Sequence, residues 1–485
     1  MGVKKTLPDF AKVTALVIGD VMLDVYEHGI VSRISPEAPV PVFRRQQKSF
    51  IAGGAANVAL NLAKLGCRVE LVGSVAQDAA GKHLRRIMGE AGVKARLGYG
   101  KTQFTTVKTR FVVDDKHLLR MDEDSRVVWS DSAEKVISKD FERLISYADI
   151  VVLSDYDKGF LSAAVCQRVI DIARRRGRPV MVDPKGHDYT KYRGASIVKP
   201  NLNEFEVMTG ARVDFSAVGW ETLLADVART FCRHCNFGAM LITLGAKGMS
   251  YVPRKGKGVG TLFQSEVMSV YDVSGAGDTA LAVLSAVVGA GGDVLDACDL
   301  ANRAAGLAVA KRGTAVVSAA ELEISLCRRG QGKVVDVNTS VRLAASFKKL
   351  GKTVGFTNGC FDCCHLGHLS SLQEAKRRCD ILIVGVNSDN WIRRHKGNRR
   401  PIQDEATRTA ILAALESVDF VVVFSSETAL PLVKRIKPQV IAKEGYALED
   451  WPEGRYVQSI GGTAVALKRV EGYSTTGLIS RMGGV

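Results

Sequence analysis

The chain has 485 residues, 46% of them hydrophobic and 24% charged, an ordinary globular composition that excludes disordered, fibrous and coiled-coil proteins. The length predicts two to four domains, and ten cysteines without a secretory signal predict reduced thiols in a cytoplasm. The net charge of +16 is spread over both halves and predicts anionic partners.

We expect no membrane segment, because the apolar run Val13–Gly19 ends at Asp20 and resembles a first strand rather than a signal peptide. The uncharged stretch Thr279–Gly292 is too short to span a bilayer. Nucleic acid would also explain the basic charge, but no nucleic-acid-binding module or long basic run is recognisable. Phosphorylated small molecules fit the charge equally well.

Short Val/Ile-rich runs alternate with segments of helical period, the pattern of β-α units around a mostly parallel sheet. The predicted strands of the first half are Ala15–Ile18, Val69–Val72, Ile150–Leu153, Val180–Val182 and Met240–Thr243, and its predicted helices are Ala55–Leu65, Val165–Arg175 and Leu295–Arg312.

Two stretches of the first half, Val40–Phe50 and Thr105–Arg120, alternate polar and apolar residues as exposed antiparallel strands do. Asp114 and Asp115 are predicted to form the turn of the second hairpin. Together the two stretches predict a small β lid.

The apolar periodicity stops in a polar, basic stretch, so we predict a first domain over 1–330, a linker over 331–345 and a second domain over 346–485. The β-α alternation then restarts. Its predicted elements are the strands Thr353–Thr357, Ile381–Val386 and Phe420–Phe424 and the helices Leu369–Arg378 and Thr407–Leu415.

The run Asp272–Thr279 (DVSGAGDT) precedes an apolar helix, Ala280–Val288. Small residues at Gly275, Ala276 and Gly277 leave backbone N–H groups uncovered at a helix N-terminus, where they form an anion hole. Asp278 at its mouth is a candidate base for a hydroxyl that attacks a γ-phosphate. A glycine-rich turn capped by an aspartate would give the same letters. No P-loop motif is present.

With three further motifs, the first half resembles the ribokinase-like sugar kinases over about residues 11–320, although Val273 stands where the family has threonine. The motifs are the glycine block Gly53–Ala59, the N-x-x-E run Asn201–Glu204 and the loop Thr243–Gly248. The resemblance implies sugar binding by Asp24, Gly53, Gly54 and Asn57, and binding of ATP and Mg²⁺ by Lys199, Asn201, Glu204, Thr243, Gly245, Gly248 and Asn302, with Glu204 acting on Mg²⁺ through water.

In the second half a strand leads into Asn358–His368, which ends in H-x-G-H before a helix. Cys360, Cys363 and Cys364 beside the two histidines admit a zinc site as an alternative. Cys363, Cys364 and His365 are consecutive, however, and three consecutive ligands cannot readily hold one ion. A second thiol pair, Cys232 and Cys235, has no partner pair at ribbon-like spacing.

Over about residues 350–482 this half is similar to the cytidylyltransferase-like nucleotidyltransferases, which share H-x-G-H and a late Ser/Thr-rich block. The resemblance implies catalysis by His365 and His368 at an α-phosphate. It also implies nucleotide binding by Asn358, Gly359, Phe361, Lys396, Ser474, Thr475 and Thr476. Without the resemblance, the basic segment that holds Lys396 would be a solvated loop.

The two halves in this order, with the segment Ser32–Val42, resemble the bifunctional heptose 7-phosphate kinase/heptose 1-phosphate adenylyltransferases. This family implies phosphorylation of D-glycero-β-D-manno-heptose 7-phosphate at C1 and ADP-heptose synthesis for the lipopolysaccharide core, with ATP as co-substrate in both domains. Cys363–Cys364 departs from the family's usual aliphatic residues. The expected fold is an α/β ribokinase-like domain with a β lid followed by a Rossmann-like parallel-sheet domain.

Rival interpretations are the same pair of activities acting on another sugar, a nucleic-acid-binding protein on a disused scaffold, and a zinc-stabilised interaction module. We expect sugar phosphates and ATP as partners, no nucleic acid and no membrane. A homo-oligomer is also expected, as a dimer formed through the lid.

Overall fold

The structure is a computed structural model that describes residues 7–114, 116–129, 131–265, 272–311, 316–330, 332–445 and 450–468. The chain packs as two compact units, Met1–Ala319 and Ala320–Val485. In the described part no helix is both long and apolar enough to cross a membrane.

The first unit is built on thirteen strands and eight helices within the described residues. The strands are β1 Thr14–Gly19, β2 Val21–Ile34, β3 Pro41–Gly54, β4 Arg68–Gly73, β5 Lys94–Leu97, β6 Val107–Val113, β7 Lys116–Glu123, β8 Ile150–Ser154, β9 Val180–Asp183, β10 Ile197–Val198, β11 Ala239–Thr243, β12 Met249–Pro253 and β13 Thr261–Phe263. The helices are α1 Ala55–Leu65, α2 Ala79–Glu90, α3 Asp131–Tyr147, α4 Ala163–Arg175, α5 Leu202–Thr209, α6 Trp220–Cys235, α7 Ala276–Gly289 and α8 Val294–Val309.

Nine of these strands form the main sheet in the order β13-β12-β11-β10-β9-β8-β1-β4-β5, parallel except at β12. Leu16 and Ile18 of β1 and Val151 and Leu153 of β8 are buried in a core with the helices on one face. Strand β1 pairs with β4 on one side and β8 on the other, so the order in which successive strands are added to the sheet reverses at β1. Ligands of open α/β sheets bind at the carboxyl ends of strands beside such a point.

The predicted lid is present as a four-stranded sheet in the order β3-β2-β6-β7. β2 pairs with β3 in antiparallel fashion and with β6 in parallel, and β6 and β7 form the expected hairpin. Asp114 is at the turn with a φ of 48°, whereas Asp115 lies outside the described residues. Every residue of β7 is exposed, so one edge of the lid faces solvent.

The second unit alternates helices and strands: α9 Ala319–Gly330, β14 Val334–Val335, α10 Val337–Lys349, β15 Val354–Gly359, α11 Leu366–Lys376, β16 Ile381–Asn387, α12 Asp389–Lys396, α13 Glu405–Ala414, β17 Phe420–Phe424, α14 Leu430–Ile436, β18 Val440–Glu444, α15 Pro452–Ser459 and β19 Thr463–Leu467. Its six strands form a wholly parallel sheet, β14-β17-β16-β15-β18-β19. Phe356 and Ile383 face one buried layer, and Leu382 and Val384 face the other.

The unit boundary differs from the predicted domain limits. The first compact unit ends at Ala319, whereas the first domain is predicted to extend to 330. β14 and the part of α10 up to residue 345 lie within the predicted linker. β14 pairs with β17, and Asp336 caps α10 by accepting a hydrogen bond from the Thr339 amide. The polar sequence there therefore provides a helix cap and an edge strand of the second sheet.

Candidate active sites

A cleft of about 840 Å³ opens at the carboxyl ends of β8 to β11 in the first unit. The start of α7 forms one wall, and α5 and α8 contribute two others. The cleft brings together every residue that the sequence assigned to the anion hole and to ATP or Mg²⁺ binding. These residues are Lys199, Asn201, Glu204, Thr243, Gly245, Gly248, Gly275, Ala276, Gly277, Asp278 and Asn302.

The anion hole is formed by the first turn of α7. Gly275 is the N-cap with a φ of 78°, a conformation that favours glycine, and it has no side chain to occupy the free N–H groups. A Cβ at Gly277 would come within 3.4 Å of Lys199 Nζ, so this ammonium lies beside the helix N-terminus. The backbone N–H dipoles of α7 and the buried Lys199 ammonium thus both attract an anion to the N-terminus of α7, which suits a phosphate.

Asp278 is buried at this point and both of its carboxylate oxygens accept hydrogen bonds. The Asn57 amide donates to one oxygen at 2.7 Å, and the Tyr156 hydroxyl donates to the other at 2.8 Å. Burial and the nearby charge of Asp183 raise the pKa of Asp278 to about 7, although the two hydrogen bonds and Lys199 oppose the shift. A carboxylate with a pKa near neutrality is suited to general base catalysis.

Tyr156 and Asp183 were not found by sequence reasoning. Tyr156 comes just after β8, and Asp183 ends β9 and pairs with Lys199 at 3.0 Å. Burial raises the pKa of the Tyr156 phenol well above 10, so the hydroxyl stays a donor to Asp278. Their position directly after buried parallel strands is the signal that would have found them.

Asp20 is another residue that sequence reasoning used only as the end of a strand. Its buried carboxylate accepts hydrogen bonds from the backbone amides of Tyr156, Lys158 and Phe160 at 2.9 to 3.1 Å. Burial and the charge of Asp155 raise the pKa of Asp20 to about 6. Asp20 therefore holds the loop that carries Tyr156 against Asp278.

The sugar-binding candidates lie where the lid joins the main sheet. Arg110 Nη1 donates to Asp24 at 2.7 Å, and a Cβ at Gly53 would come within 2.8 Å of the other Asp24 oxygen. Gly54 has a φ of 61°, and a Cβ there would meet the Asp20 carbonyl at 2.5 Å. Both glycines are thus required by close packing, and Asp24 has a cationic partner that the sequence did not predict.

Asn201 and Glu204 also have a structural role. The Asn201 side chain accepts from the Glu204 amide at 2.8 Å, and the Glu204 carboxylate accepts from the Asn201 amide at 2.9 Å, a capping box at the start of α5. The second Glu204 oxygen pairs with Lys185 at 2.7 Å. Both Glu204 oxygens thus already have a protein partner, an arrangement compatible with contact to Mg²⁺ through water.

The rest of the nucleotide side is shaped by close backbone packing. Gly248 has a φ of 94°, and a Cβ there would lie 1.9 Å from the Phe263 carbonyl oxygen, so only glycine fits. Asn302 donates to the Gln264 carbonyl at 2.9 Å and thereby joins α8 to the segment after β13. Thr243 ends β11 at the mouth of the cleft, next to Gly245.

In the second unit the H-x-G-H motif forms the N-cap and first turn of α11, next to the point where the sheet order reverses between β15 and β18. His365 is the N-cap of α11, and the rings of His365 and His368 stack with centroids 3.9 Å apart. His368 Nδ1 accepts from the His365 amide at 3.4 Å, which leaves its proton on Nε2.

His368 is neutral at ordinary pH. Burial, with the charges of His365 and Lys396, lowers its pKa to about 4. The predicted Lys396 is therefore within electrostatic range of His368, although it ends helix α12 rather than lying in a loop. The site thus combines a neutral N–H donor, a helix N-terminus and a cation, which suits a triphosphate.

Of the remaining residues predicted to bind the nucleotide in the second unit, three lie close to His365 and His368 and three are outside the part of the chain that the structure describes. Asn358 and Gly359 end β15, and Phe361, with a φ of 48°, packs its ring 5.3 Å from the His368 ring. Ser474, Thr475 and Thr476 lie outside the described residues, so their predicted role stays a prediction.

Arg408 was also missed by sequence reasoning. Its buried guanidinium donates to the carbonyls of Cys360 and Gln403 and to the Asp389 carboxylate at 2.6 to 3.1 Å. It therefore ties the loop after β15 to the starts of α12 and α13. No sequence motif marks this residue, because its three acceptors come from three separate segments.

The cysteines show no metal-binding arrangement in the part of the chain that the structure describes, where no group of three or more His, Cys, Asp or Glu residues is placed to hold an ion. Cys232 and Cys235 are buried on α6, and burial raises the pKa of both thiols. Burial also raises the pKa of the partly buried Cys363 and Cys364. All four thiols therefore favour the protonated form.

Comparisons with known proteins agree with the division of the chain into two units. Residues 13–320 match the pfkB family of carbohydrate kinases, and residues 356–480 match the cytidylyltransferase-like family. The structure of Arabidopsis thaliana ribokinase complexed with ribose and ATP aligns with a TM-score of 0.51 at 20% identity, covering 66% of this chain and 99% of that one. The ribokinase-like fold predicted for the first half is therefore confirmed.

Two relatives extend over nearly the whole chain. The bifunctional protein HldE of Paramagnetospirillum magneticum is 40% identical over 475 residues, covering 97% of this chain and 96% of the relative. That of Caulobacter vibrioides is 42% identical over 479 residues, covering 98% and 97%. The chain therefore belongs to the family of bifunctional HldE proteins, with a pfkB carbohydrate kinase domain followed by a cytidylyltransferase-like domain.

Proposed function

We propose that the chain phosphorylates D-glycero-β-D-manno-heptose 7-phosphate at C1 with ATP and, in its second domain, transfers AMP from ATP to heptose 1-phosphate. The products are the 1,7-bisphosphate in the first reaction and ADP-heptose with pyrophosphate in the second, for lipopolysaccharide core synthesis. The observation that carries the kinase assignment is Asp278, held by two donors at the mouth of a helix N-terminus beside Lys199.

In the kinase reaction Asp278 accepts the proton of the anomeric hydroxyl while the hydroxyl oxygen attacks the γ-phosphorus and ADP leaves. Asn57 and Tyr156 orient the two carboxylate oxygens through their hydrogen bonds. The N–H groups at Gly275, Ala276 and Gly277 and the Lys199 ammonium stabilise the charge on the transferred phosphoryl group. Asp24 accepts hydrogen bonds from neighbouring sugar hydroxyls.

ATP lies along the wall formed by Thr243, Gly245, Gly248 and Asn302 in this proposal. Burial raises the pKa of the Asp183 carboxyl, and the negative charge of nearby Glu204 adds to the rise, although Lys199 opposes it. A pair of acids at the phosphate end of a nucleotide cleft fits Mg²⁺, which prefers oxygen ligands and keeps several waters. When bound, Mg²⁺ would neutralise triphosphate charge, held through water by Glu204.

In the transferase reaction an oxygen of heptose 1-phosphate attacks the α-phosphorus of ATP, and the bond to pyrophosphate breaks. His368 donates from Nε2 to the α-phosphate, and His365 and the N-terminus of α11 add to the stabilisation of charge. Lys396 faces the departing phosphates with its charge, while Asn358, Gly359 and Phe361 contact the nucleotide. We assign Ser474, Thr475 and Thr476 to the β- and γ-phosphates on the family resemblance alone.

Product identification tests both reactions. The full chain is incubated with ATP and heptose 7-phosphate, with and without a phosphatase that removes the 7-phosphate. We expect the bisphosphate without the phosphatase and ADP-heptose with it. Absence of heptose 7-phosphate turnover, with turnover of another sugar phosphate, would reassign the substrate and keep the two reaction types.

We also propose that the protein is cytoplasmic and forms a dimer through the lid. Strand β7 is an exposed edge that carries Leu118, Leu119 and Met121 with 45 to 59% of their surface accessible, and such edges pair readily with a second chain. A Leu119→Lys variant is expected to halve the mass measured by light scattering. An unchanged mass, or a monomeric wild type, would remove the lid as the interface.

A further inference from the structure

Lys108 is a partly buried cation in the kinase lid that the mechanism above does not use. It lies on β6 directly beside Asp24 of β2, and in the parallel register the two side chains share one face of the lid. Its ammonium lies over the Tyr156 ring, 5.5 Å from the ring centre. The Tyr156 hydroxyl donates to Asp278, so Lys108 is one aromatic ring away from the catalytic carboxylate.

The face of the lid that carries Lys108 lies towards the segment Asp272–Thr279, which forms the anion hole. Burial lowers the pKa of the neighbouring Arg110 guanidinium, but the negative charges of Asp24 and Asp272 outweigh that effect and raise it. Asp272 begins the segment that forms the anion hole. The lid face therefore covers the acceptor side of the site, and none of its described residues lines the nucleotide cleft.

The cations around Lys108 already have anionic partners. The pairs are Arg110 with Asp24 at 2.7 Å, Arg120 with Asp122 at 2.9 Å and Lys158 with Asp124 at 2.7 Å. Lys108 itself forms no hydrogen bond or ion pair with the residues that the structure describes. Among the cations of this group, Lys108 is thus the one with no ion-pair partner in the described part of the chain.

This arrangement has a cost in the free enzyme. Burial lowers the pKa of the Lys108 ammonium, and Lys158 and Arg120 add to the lowering, while Asp24 and Asp122 oppose it. An anion in contact with the Lys108 ammonium would offset the burial of its charge. A phosphate monoester carries nearly two negative charges at neutral pH, and lysine is a common partner for it.

We propose that Lys108 binds the phosphate group of the sugar acceptor and makes the kinase selective for phosphorylated over free sugars. The proposal rests on the kinase function given above and adds the residue that recognises the acceptor's charged end. Lys108 forms a charge-assisted hydrogen bond to a non-reacting phosphate, so its loss affects acceptor binding rather than ATP binding.

The test compares three variants of the full chain with two acceptors, heptose 7-phosphate and the same heptose without phosphate. Lys108→Met removes the charge and keeps the side-chain length, Lys108→Arg keeps the charge, and Lys116→Met removes an exposed lysine from the same hairpin. For Lys108→Met we expect the KM for heptose 7-phosphate to rise about 10- to 100-fold, as for loss of a hydrogen bond to a charged group.

In the same variant the KM values for ATP and for the free heptose are expected to stay unchanged. Lys108→Arg should recover most of the affinity, and Lys116→Met should behave as the wild type. An equal loss for both acceptors, a rise in the KM for ATP, or no change at all would overturn the proposal.

A second measurement separates this proposal from the substrate assignment. If the wild type does not turn over heptose 7-phosphate, calorimetry with other sugars phosphorylated away from the anomeric carbon tests Lys108 directly. A preference for phosphorylated over free sugars that disappears in Lys108→Met supports the proposal, although the heptose assignment has failed. A wild type without that preference, or a variant that retains it, refutes the role of Lys108.

Discussion

Asp278→Asn separates the catalytic and structural consequences of one buried carboxylate. The substitution keeps the size of the side chain, and the Tyr156 hydroxyl can accept from the new amide while Asn57 still donates to its oxygen. The proposed base is nevertheless lost. We expect kinase activity to disappear while adenylyl transfer by the second unit stays at the wild-type rate.

The same variant should be more stable than the wild type at pH 8. Burial raises the pKa of Asp278 from 3.8 to about 7, so the folded state favours the protonated form. The penalty for the charged form is complete above pH 7 and disappears as the pH falls toward 3.8. At about 1.4 kcal/mol for each pH unit between the two values, it is at most roughly 4 kcal/mol.

Calorimetric unfolding at pH 8 and pH 5 measures this effect, and heptose 7-phosphate identifies the transition of the first unit by raising its Tm. The variant should unfold several degrees above the wild type at pH 8, with a smaller difference at pH 5. Asp171→Asn, which changes an exposed acid on α4, is the matched control and should shift neither. Residual kinase activity, or a stability gain independent of pH, would refute the assignment of Asp278 as a buried base.

Four further outcomes are expected. His368→Ala should abolish adenylyl transfer and leave the kinase rate unchanged; loss of both reactions in a folded protein would contradict two independent sites. Tyr156→Phe removes a hydrogen bond that lowers the pKa of Asp278, so the acid limb of the kinase pH–rate profile should move above pH 7. If the acid limb does not move, Tyr156 has only a packing role. In the wild type, kinase kcat/KM at pH 6 should fall to about one-tenth of its value on the alkaline plateau, because about one-tenth of Asp278 is ionised one pH unit below its pKa. The rate of adenylyl transfer should stay constant between pH 6 and 8. A parallel fall in both rates would contradict the separate pKa values of the two sites. Arg408→Met removes the buried guanidinium from three part-buried acceptors and should destabilise the second unit by about 3 kcal/mol, seen in urea unfolding. An effect below about 1 kcal/mol would mean that water replaces the guanidinium.

Motifs carried most of the fold and much of the kinase cleft. The strand ends and the glycine-rich turns were predictable because parallel strands and helix N-termini impose local residue patterns. The partners of the motif residues were not. Tyr156 and Asp278 are 122 positions apart, and only the order of strands in the sheet brings β8 beside the start of α7.

Two other differences have local causes. The run Asn201–Glu204 matches a capping box as well as a family motif, and the sequence pattern alone carries both meanings. That Lys108 has no ion-pair partner within the described ranges could not be read from the sequence, because pairing depends on which acids of β2 and β7 lie opposite β6. Charge balance in a sheet is a property of register.

The two sites meet the same electrostatic problem in opposite ways. Each must receive a triphosphate beside a helix N-terminus, but the kinase must also remove a proton from a hydroxyl, whereas the transferase attacks with an oxygen that is already ionised. The kinase therefore needs a base, which we propose to be Asp278, because burial and the charge of Asp183 raise its pKa to about 7. The transferase needs donors only, and burial beside Lys396 keeps His368 neutral with its proton on Nε2. Burial favours the uncharged form in both sites, and the different demands of the two reactions explain why an acid was placed in one and a histidine in the other.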